Sequence, residues 1–248
     1  MKVLSIYNIK GGVGKTASAV NLSYLASQDG LRTLLCDFDP QGASSYYLRI
    51  KSGNKMKPAK LLKGGNFAHK QIKESDYPNL DLLPAHLAYR NFDLLLDKQK
   101  RSNRRLREFL DSFSEDYDLI IVDAPPNITL LSENIFRASD LILIPVIPTT
   151  LSILTYQQIR KFFKKEKIAF NRVRAFFSMV EKRKKLHRET IEQMQAEDDH
   201  FLPVQIPMAS VVERMGLHRE PVPAYAASSP ASKTYSELWK SVSKILDD

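Results

Sequence analysis

Seven consecutive residues, Lys10-Gly11-Gly12-Val13-Gly14-Lys15-Thr16, combine three glycines, two lysines and a hydroxyl. That set suits a ligand rich in anionic oxygen. Glycines let successive backbone N–H groups curl around phosphate oxygens without side-chain clash; Lys15 can reach β- and γ-phosphates, and the Thr16 hydroxyl can ligate Mg²⁺. A strict Gly-x4-Gly-Lys-Thr loop requires glycine at position 9, where this chain has Ile9, and Lys10 is an additional cation just before the glycine pair. A glycine-rich turn with incidental lysines is the plainer alternative, and the elements on either side of the loop argue against it. Two other segments offer what such a loop lacks. Leu119-Ile120-Ile121-Val122-Asp123 is an apolar run ending in a carboxylate. Asp123 can therefore stand at the carboxyl edge of a sheet and hold Mg²⁺ through a water, or else cap the Ala124-Pro125-Pro126 turn. Asp37-Phe38-Asp39-Pro40-Gln41-Gly42 carries two carboxylates at alternate positions that could point the same way, one of them orienting an attacking water.

Such groups need a rigid frame. Val3 to Asn8 reads as a strand entering the loop and Thr16 to Ser27 as the helix leaving it, with Val20, Tyr24 and Leu25 near one face and Gly30 closing it. Further strands are predicted at 33–37, 80–83, 119–123, 141–146, 173–180 and 204–206, and helices at 102–113, 129–137, 150–165 and 186–197. This alternation predicts an α/β fold, a mostly parallel sheet flanked by helices on both faces. Without repeats or a linker, residues 1–248 read as a single domain. Residues 49–73 read as a basic surface insertion: they carry Lys51, Lys55, Lys57, Lys60 and Lys63, with no acidic residue between Gln41 and Lys73.

Composition narrows the classes. The 248 residues are 43% hydrophobic and 26% charged, as in globular proteins, and no apolar run approaches the roughly 20 residues that span a bilayer. The N-terminus lacks a signal-peptide core. The single cysteine, Cys36, excludes an intramolecular disulfide, a Cys-rich zinc site and a cysteine-ligated iron–sulfur cluster within one chain, which fits a reducing cytoplasm. Lys and Arg number 37 against 28 Asp and Glu, a formal +9 that suggests a polyanionic partner without requiring one. The histidines, at 69, 86, 187, 200 and 218, are scattered; His187 and His218 each adjoin an arginine, which favours a surface role.

Taken together, the loop, the D-x-D-P-Q-G segment (Asp37 to Gly42) and the strand ending D-x-P-P (Asp118 to Pro126) resemble the ParA/MinD group of deviant Walker A ATPases, and more closely its Soj-like ParA branch. Ile206-Pro207, Glu213, Gly216, Pro221-Val222, Tyr225, Ser228 to Ala231, Tyr235 and Leu238 are similar in spacing to that family's closing segment, so the resemblance covers nearly the whole chain. It implies a P-loop fold of the SIMIBI type and an ATP–Mg²⁺ sandwich homodimer, in which Lys10 crosses to the phosphates held by the other subunit. By the same match Gly11, Gly12, Val13, Gly14 and Ala17 belong to the nucleotide cradle. Lys15 is the in-cis phosphate lysine, Thr16 a Mg²⁺ ligand, Asp39 the residue that positions or activates water beside the metal, and Asp123 the Walker B carboxylate. The region following Pro207 would line the adenine.

The resemblance further implies a slow ATPase stimulated by a ParB-like or cargo-adaptor protein, bound to non-specific DNA in the cytoplasm and thus nucleoid-associated. Lys182, Arg183, Lys184, Lys185, Arg188, Arg214 and Arg219 are candidate DNA contacts, with a solvated face as the alternative. The arginine common in the ParA branch three residues before the match to Glu213 is Ser210 here, so other cations must carry the contact. The dense run Lys98, Lys100, Arg101, Arg104, Arg105 and Arg107 reads as a solvated helix, and Arg160 to Lys165 as a helix end with its phenylalanines packed inward. Two other functions share the loop. A MinD-like membrane role would use the stripe Tyr235, Leu238, Trp239, Val242, Ile245 and Leu246; the terminal Asp247-Asp248 favours a closing helix packed on the sheet instead. An ATP-dependent carboxylate-activating enzyme would need a further polar constellation, which the sequence does not display. An iron-protein-type electron-transfer ATPase fails on the lone Cys36.

Overall fold

The computed structural model describes residues 1–53, 56–98 and 102–247. Lys55, Lys100, Arg101 and Asp248 lie outside the described residues. The chain runs β1 (Lys2–Ile6), α1 (Lys15–Gln28), β2 (Thr33–Asp37), α2 (Ala43–Tyr47), α3 (Pro58–Leu61), α4 (Gly65–His69), β3 (Lys73–Glu74) and β4 (Leu80–Leu83). A 3₁₀ turn (Leu87–Asn91), α5 (Phe92–Asp97), a second 3₁₀ turn (Ser102–Arg104), α6 (Arg105–Asp111), β5 (Leu119–Asp123), α7 (Leu130–Ala138) and β6 (Leu141–Val146) follow. The last part comprises α8 (Thr150–Lys165), a short 3₁₀ turn (Phe170–Arg172), β7 (Val173–Val180), α9 (Lys185–Glu197) and β8 (Phe201–Pro207), then α10 (Ser210–Glu213), α11 (Met215–His218), α12 (Val222–Tyr225) and α13 (Pro230–Asp247).

The eight strands form one sheet in the order β3-β4-β2-β5-β1-β6-β7-β8, parallel throughout except for the antiparallel β3–β4 edge. TLLCD, LIIVD and LILIPV are buried at every position. Such continuous apolar runs are what a parallel strand covered on both faces requires. One buried cluster, including Phe113, Phe136, Phe163 and Phe177, lies under α5 to α8; the other, including Leu22, Leu119, Tyr235, Leu238 and Trp239, lies under α1 and α13. Because β1 sits between β5 and β6, the chain leaves it on one side towards β2 and later returns to β6 on the other. This is a topological switch point, where parallel sheets open a crevice at the strands' carboxyl ends.

Strand and helix types agree with the sequence reading, and boundaries shift. β1 ends at Ile6, β8 begins at Phe201, and the predicted 102–113 helix is a 3₁₀ turn followed by α6. The very short helices have too few residues for a period to register. The 49–73 segment exposes Lys51, Lys57, Lys60 and Lys63, yet it is anchored by Met56, Leu61, Leu62 and Ala68 in the core.

The C-terminal stripe is consumed internally. Tyr235, Leu238, Trp239, Val242 and Leu246 are buried, and the Trp239 indole donates to Asp29. Among the described residues no helix is long and apolar enough to cross a membrane. Leu238→Ala is expected to cost about 2–5 kcal/mol by urea unfolding, since a fully buried leucine loses both transfer energy and packing.

Part of each of two basic runs is paired, by local and by distant carboxylates. Arg105 pairs with Glu108, and Arg107 with Asp111 and Asp140. Arg160 reaches Asp198, whose side chain is only 5% exposed and also accepts from the Tyr156 hydroxyl, His200 Nδ1 and the His200 N–H. Burial alone would raise the Asp198 pKa; these donors and the Arg160 charge outweigh it and hold it below the usual carboxylate range. The sign follows from a depressed folded pKa: its stabilisation is present above about pH 4 and is lost as pH falls further. Asp198→Asn is expected to flatten the acid limb of a stability–pH profile, measured by denaturant titration between neutral and strongly acidic buffer.

Candidate functional site

The glycine loop occupies the switch point. Asn8 is fully buried; its Nδ2 donates to the Pro145 carbonyl (2.8 Å) and its Oδ1 accepts from the Lys10 N–H (2.9 Å), tying the loop's start to β6. Gly12 and Gly14 hold φ of +69° and +90°. Glycine is required at position 14 twice over, because a Cβ there would also meet Ser178 Oγ at 2.9 Å. α1 begins at Lys15, so its free N–H groups and the positive end of its dipole face the loop.

Lys15 is 7% exposed, and its amine donates to the Lys10 carbonyl at 3.0 Å. Burial lowers its pKa, while the Asp123 and Asp39 charges act to keep it protonated. Lys10 differs. Its amine donates to the hydroxyl of Ser152, a buried residue in the first turn of α8, at 3.3 Å. Ala17 packs beside the α1 core.

Across β2 and β5 the register places Asp37 opposite Asp123, and both are fully buried. Asp123 Oδ2 accepts from Ser44 Oγ (2.8 Å); Asp37 Oδ2 accepts from the Ser45 N–H (2.8 Å) and Oγ (2.7 Å). The Oδ1 atom of each is buried without a partner. Desolvation raises both carboxyls. For Asp37 the neighbouring Asp123 charge adds to the rise, whereas the Ser44 and Thr16 hydroxyls and Lys15 pull Asp123 back. Asp39 is only partly buried and accepts from the Gln41 N–H (3.0 Å). The two carboxylates of the D-x-D segment thus part company: Asp37 fixes the start of α2, and Asp39 stays accessible. Asp123 Oδ1 and the Thr16 hydroxyl are hard oxygens suited to Mg²⁺, and an orphaned buried carboxylate oxygen is what such a cation would satisfy.

Sequence reasoning missed Asn8, Ser44, Ser45 and Ser152. The serine pair after Gly42 was a readable helix-start signal; Ser152, distant along the chain, had none. Pro207 ends β8 opposite Val180, and Met208 N–H donates to the Val180 carbonyl (3.0 Å), which sets the direction of the closing segment. That segment is tied to α1 where Asn21 Oδ1 accepts from the Val222 N–H (2.7 Å), and internally where the Tyr225 hydroxyl donates to the Val211 carbonyl.

The DNA candidates separate. Lys182, Arg183, Lys184, Lys185 and Arg188 are all exposed. Lys184 is paired with Glu181 and Lys185 with Glu189, and Arg188 donates to the carbonyls of Lys182 (3.0 Å) and Arg183 (3.1 Å). Arg214 and Ser210 are exposed. Arg219 adopts φ +55°, donates to the Tyr46 carbonyl and lies 4.6 Å over the Tyr46 ring. One expectation is corrected: His187 is 3% exposed, not a surface residue, because its Nδ1 accepts the Glu181 N–H and closes the 181–187 turn. His218 is exposed and stacks on Tyr225.

A parallel sheet with a glycine–lysine–threonine loop at its switch point, and a buried carboxylate at the end of the neighbouring strand, defines a P-loop nucleotide-binding protein. A family model described as an AAA domain matches residues 1–175, and the chain belongs to that family, as a P-loop ATPase of the ParA/MinD type. Protein MJECL24 of Methanocaldococcus jannaschii, itself uncharacterized, is 32% identical, with 96% of each chain covered. The chromosome-partitioning ATPase Soj of Treponema pallidum is 29% identical over 97% of this chain and 96% of its own. In fold alone, the chain is similar to an ATP complex of a Cyanothece McdA variant (TM-score 0.81, 21% identity, covering 98% and 96%). It is similar in the same way to cobyrinic acid a,c-diamide synthase of Mycobacterium smegmatis with ADP and magnesium (TM-score 0.79, 22% identity, covering 98% and 94%).

Proposed function

We propose that residues 1–248 form one ATPase domain that binds ATP and Mg²⁺ at the glycine loop, closes into a homodimer, and uses the ATP-bound dimer on non-specific DNA to position a cellular cargo. The observation that carries the reading is the placing of the two loop lysines. Lys15 is buried inside its own loop, whereas the Lys10 amine rests outside it on Ser152, available to a second subunit.

In this reading Gly11 to Gly14 and the α1 N-terminus cradle the phosphates, and Lys15 exchanges the Lys10 carbonyl for phosphate oxygen. Thr16 and Asp123 hold the metal, which supplies charge neutralisation at the terminal phosphate. Asp39 orients the attacking water, and the segment after Pro207 borders the base. Lys10 of each subunit completes the other's site, so association and hydrolysis form one switch. The expected setting is the cytoplasm, on the nucleoid, with turnover slow until a ParB-like or cargo-adaptor protein stimulates it.

Sedimentation of the full chain with a non-hydrolysable ATP analogue and Mg²⁺, against ADP and Mg²⁺, tests this. A dimer with the analogue alone is expected; a monomer in both would overturn the reading.

A further inference from the structure

Residues 42–72 contain no carboxylate, and their cations fall into two kinds. Arg49 is paired with Asp76 and Glu220. Lys51, Lys57, Lys60, Lys63 and Lys70 are exposed, and among the described residues none lies within ion-pair distance of a carboxylate. That distinguishes them from Lys184 and Lys185, which are paired, and from Arg188, which is spent on backbone carbonyls.

Local geometry gathers three of them. The Lys60 N–H bonds to the Lys57 carbonyl (2.9 Å) and the Lys63 N–H to the Lys60 carbonyl (3.2 Å). The Leu61 N–H also bonds to the Lys57 carbonyl (2.9 Å) and the Leu62 N–H to the Pro58 carbonyl (3.0 Å), so α3 is a single α-helical turn, on which residues three apart share a face. Lys60 lies in that turn, Lys57 is its extended N-cap and Lys63 follows its C-cap, so three exposed lysines are spaced along one short segment whose Leu61 and Leu62 are buried in the core. α3 packs on α5 and on the Leu87–Asn91 turn, which carries the exposed Arg90. That turn's Leu87 shares a cavity of about 500 Å³ with Lys51, Arg219 and the Pro40–Gly42 turn beside Asp39.

Along the described part of residues 51–73 the large exposed side chains are cationic and polar. None of the large exposed hydrophobic side chains among the described residues falls between residues 51 and 73; the exposed Leu87 and Tyr46 lie at the border of this segment, beside Lys51. What it fits is a polyanion bound by charge alone, the phosphate backbone of duplex DNA.

We propose that Lys57, Lys60 and Lys63, together with Lys51 and Lys70, are the principal DNA-backbone contact of this chain, taking the place of the absent arginine at Ser210. The assignment rests on the DNA-binding reading above. Its test compares three full-length proteins with ATP and Mg²⁺ on random-sequence duplex DNA over stepped KCl: wild type, Lys57→Gln/Lys60→Gln/Lys63→Gln, and Lys182→Gln/Arg183→Gln.

Each phosphate contact contributes about 0.9 to the slope of log K against log salt, so the α3 triple variant should lower that slope by about 3 for each subunit of the dimer whose lysines engage DNA, and weaken binding at least about tenfold. The Lys182/Arg183 variant should change it less. Analogue-dependent dimerisation should be unaltered in both, since all five side chains are exposed and outside the nucleotide loop. Binding that falls with the Lys182/Arg183 variant and not with the α3 variant would overturn the assignment while leaving the DNA reading intact. A wild type that ignores DNA in every nucleotide state would overturn both.

Discussion

Asp39→Ala is expected to reduce ATP turnover by about 10²-fold or more while nucleotide binding and the analogue-dependent dimer persist. The magnitude is that of losing a positioned acid–base group. The expectation rests on how the three acidic side chains divide. Asp37 is fully buried and occupied by the Ser45 N–H and hydroxyl, and Asp123 is fully buried beneath Ser44. Asp39 alone of the three is accessible, with one oxygen engaged by the Gln41 N–H. Phosphate release under single-turnover conditions reads the chemical step, and sedimentation of the same sample reads the dimer. Near-normal phosphate release would remove Asp39 from water positioning. Asp37→Asn is the informative companion: it should disturb α2 and lower folding stability rather than act on hydrolysis alone.

Lys10→Ala should separate association from binding. A hydrogen bond to a charged group contributes about 1.5–3 kcal/mol. A symmetric dimer loses two such contacts, so its dissociation constant should rise by about 10²-fold or more. The affinity of the monomer for ATP analogue should change little, because the Lys10 amine lies on Ser152 and Lys15 is the lysine inside the loop. Equilibrium sedimentation across protein concentration, paired with calorimetric titration of nucleotide, distinguishes the two effects. An unchanged dimer with weakened nucleotide binding would place Lys10 in its own subunit's site. Lys15→Ala should give the opposite pattern, with nucleotide binding itself lost.

The glycine loop, the strand-end Asp123 and the α/β class were legible because each signal is local. Glycines at fixed offsets demand a turn, apolar runs ending in a carboxylate demand a buried strand with its tip at the sheet edge, and the alternation of periods demands crossovers. The closing segment was legible as a resemblance, and its apolar stripe as a packed helix. What could not be read was which polar groups find partners far away in sequence. The D-x-D spacing gave no reason for Asp37 and Asp39 to differ; the β2–β5 register buries one beside Asp123 and leaves the other accessible.

The same limit governs charge. A row of letters shows Arg107, Arg160, Lys184 and Lys60 as equivalent cations. Folding brings Asp140 to the first and the buried Asp198 to the second, the third pairs locally with Glu181 three residues before it, and among the described residues no carboxylate reaches Lys60. By itself, then, the sequence determined the phosphate chemistry and the frame that presents it, since both follow from short-range sterics and periodicity. Tertiary structure decided where the Lys10 amine rests, which carboxylates remain unsatisfied and which basic surface stays unneutralised. Coulombic and hydrogen-bonding partners are chosen by distance in space, and only the closed sheet fixes those distances.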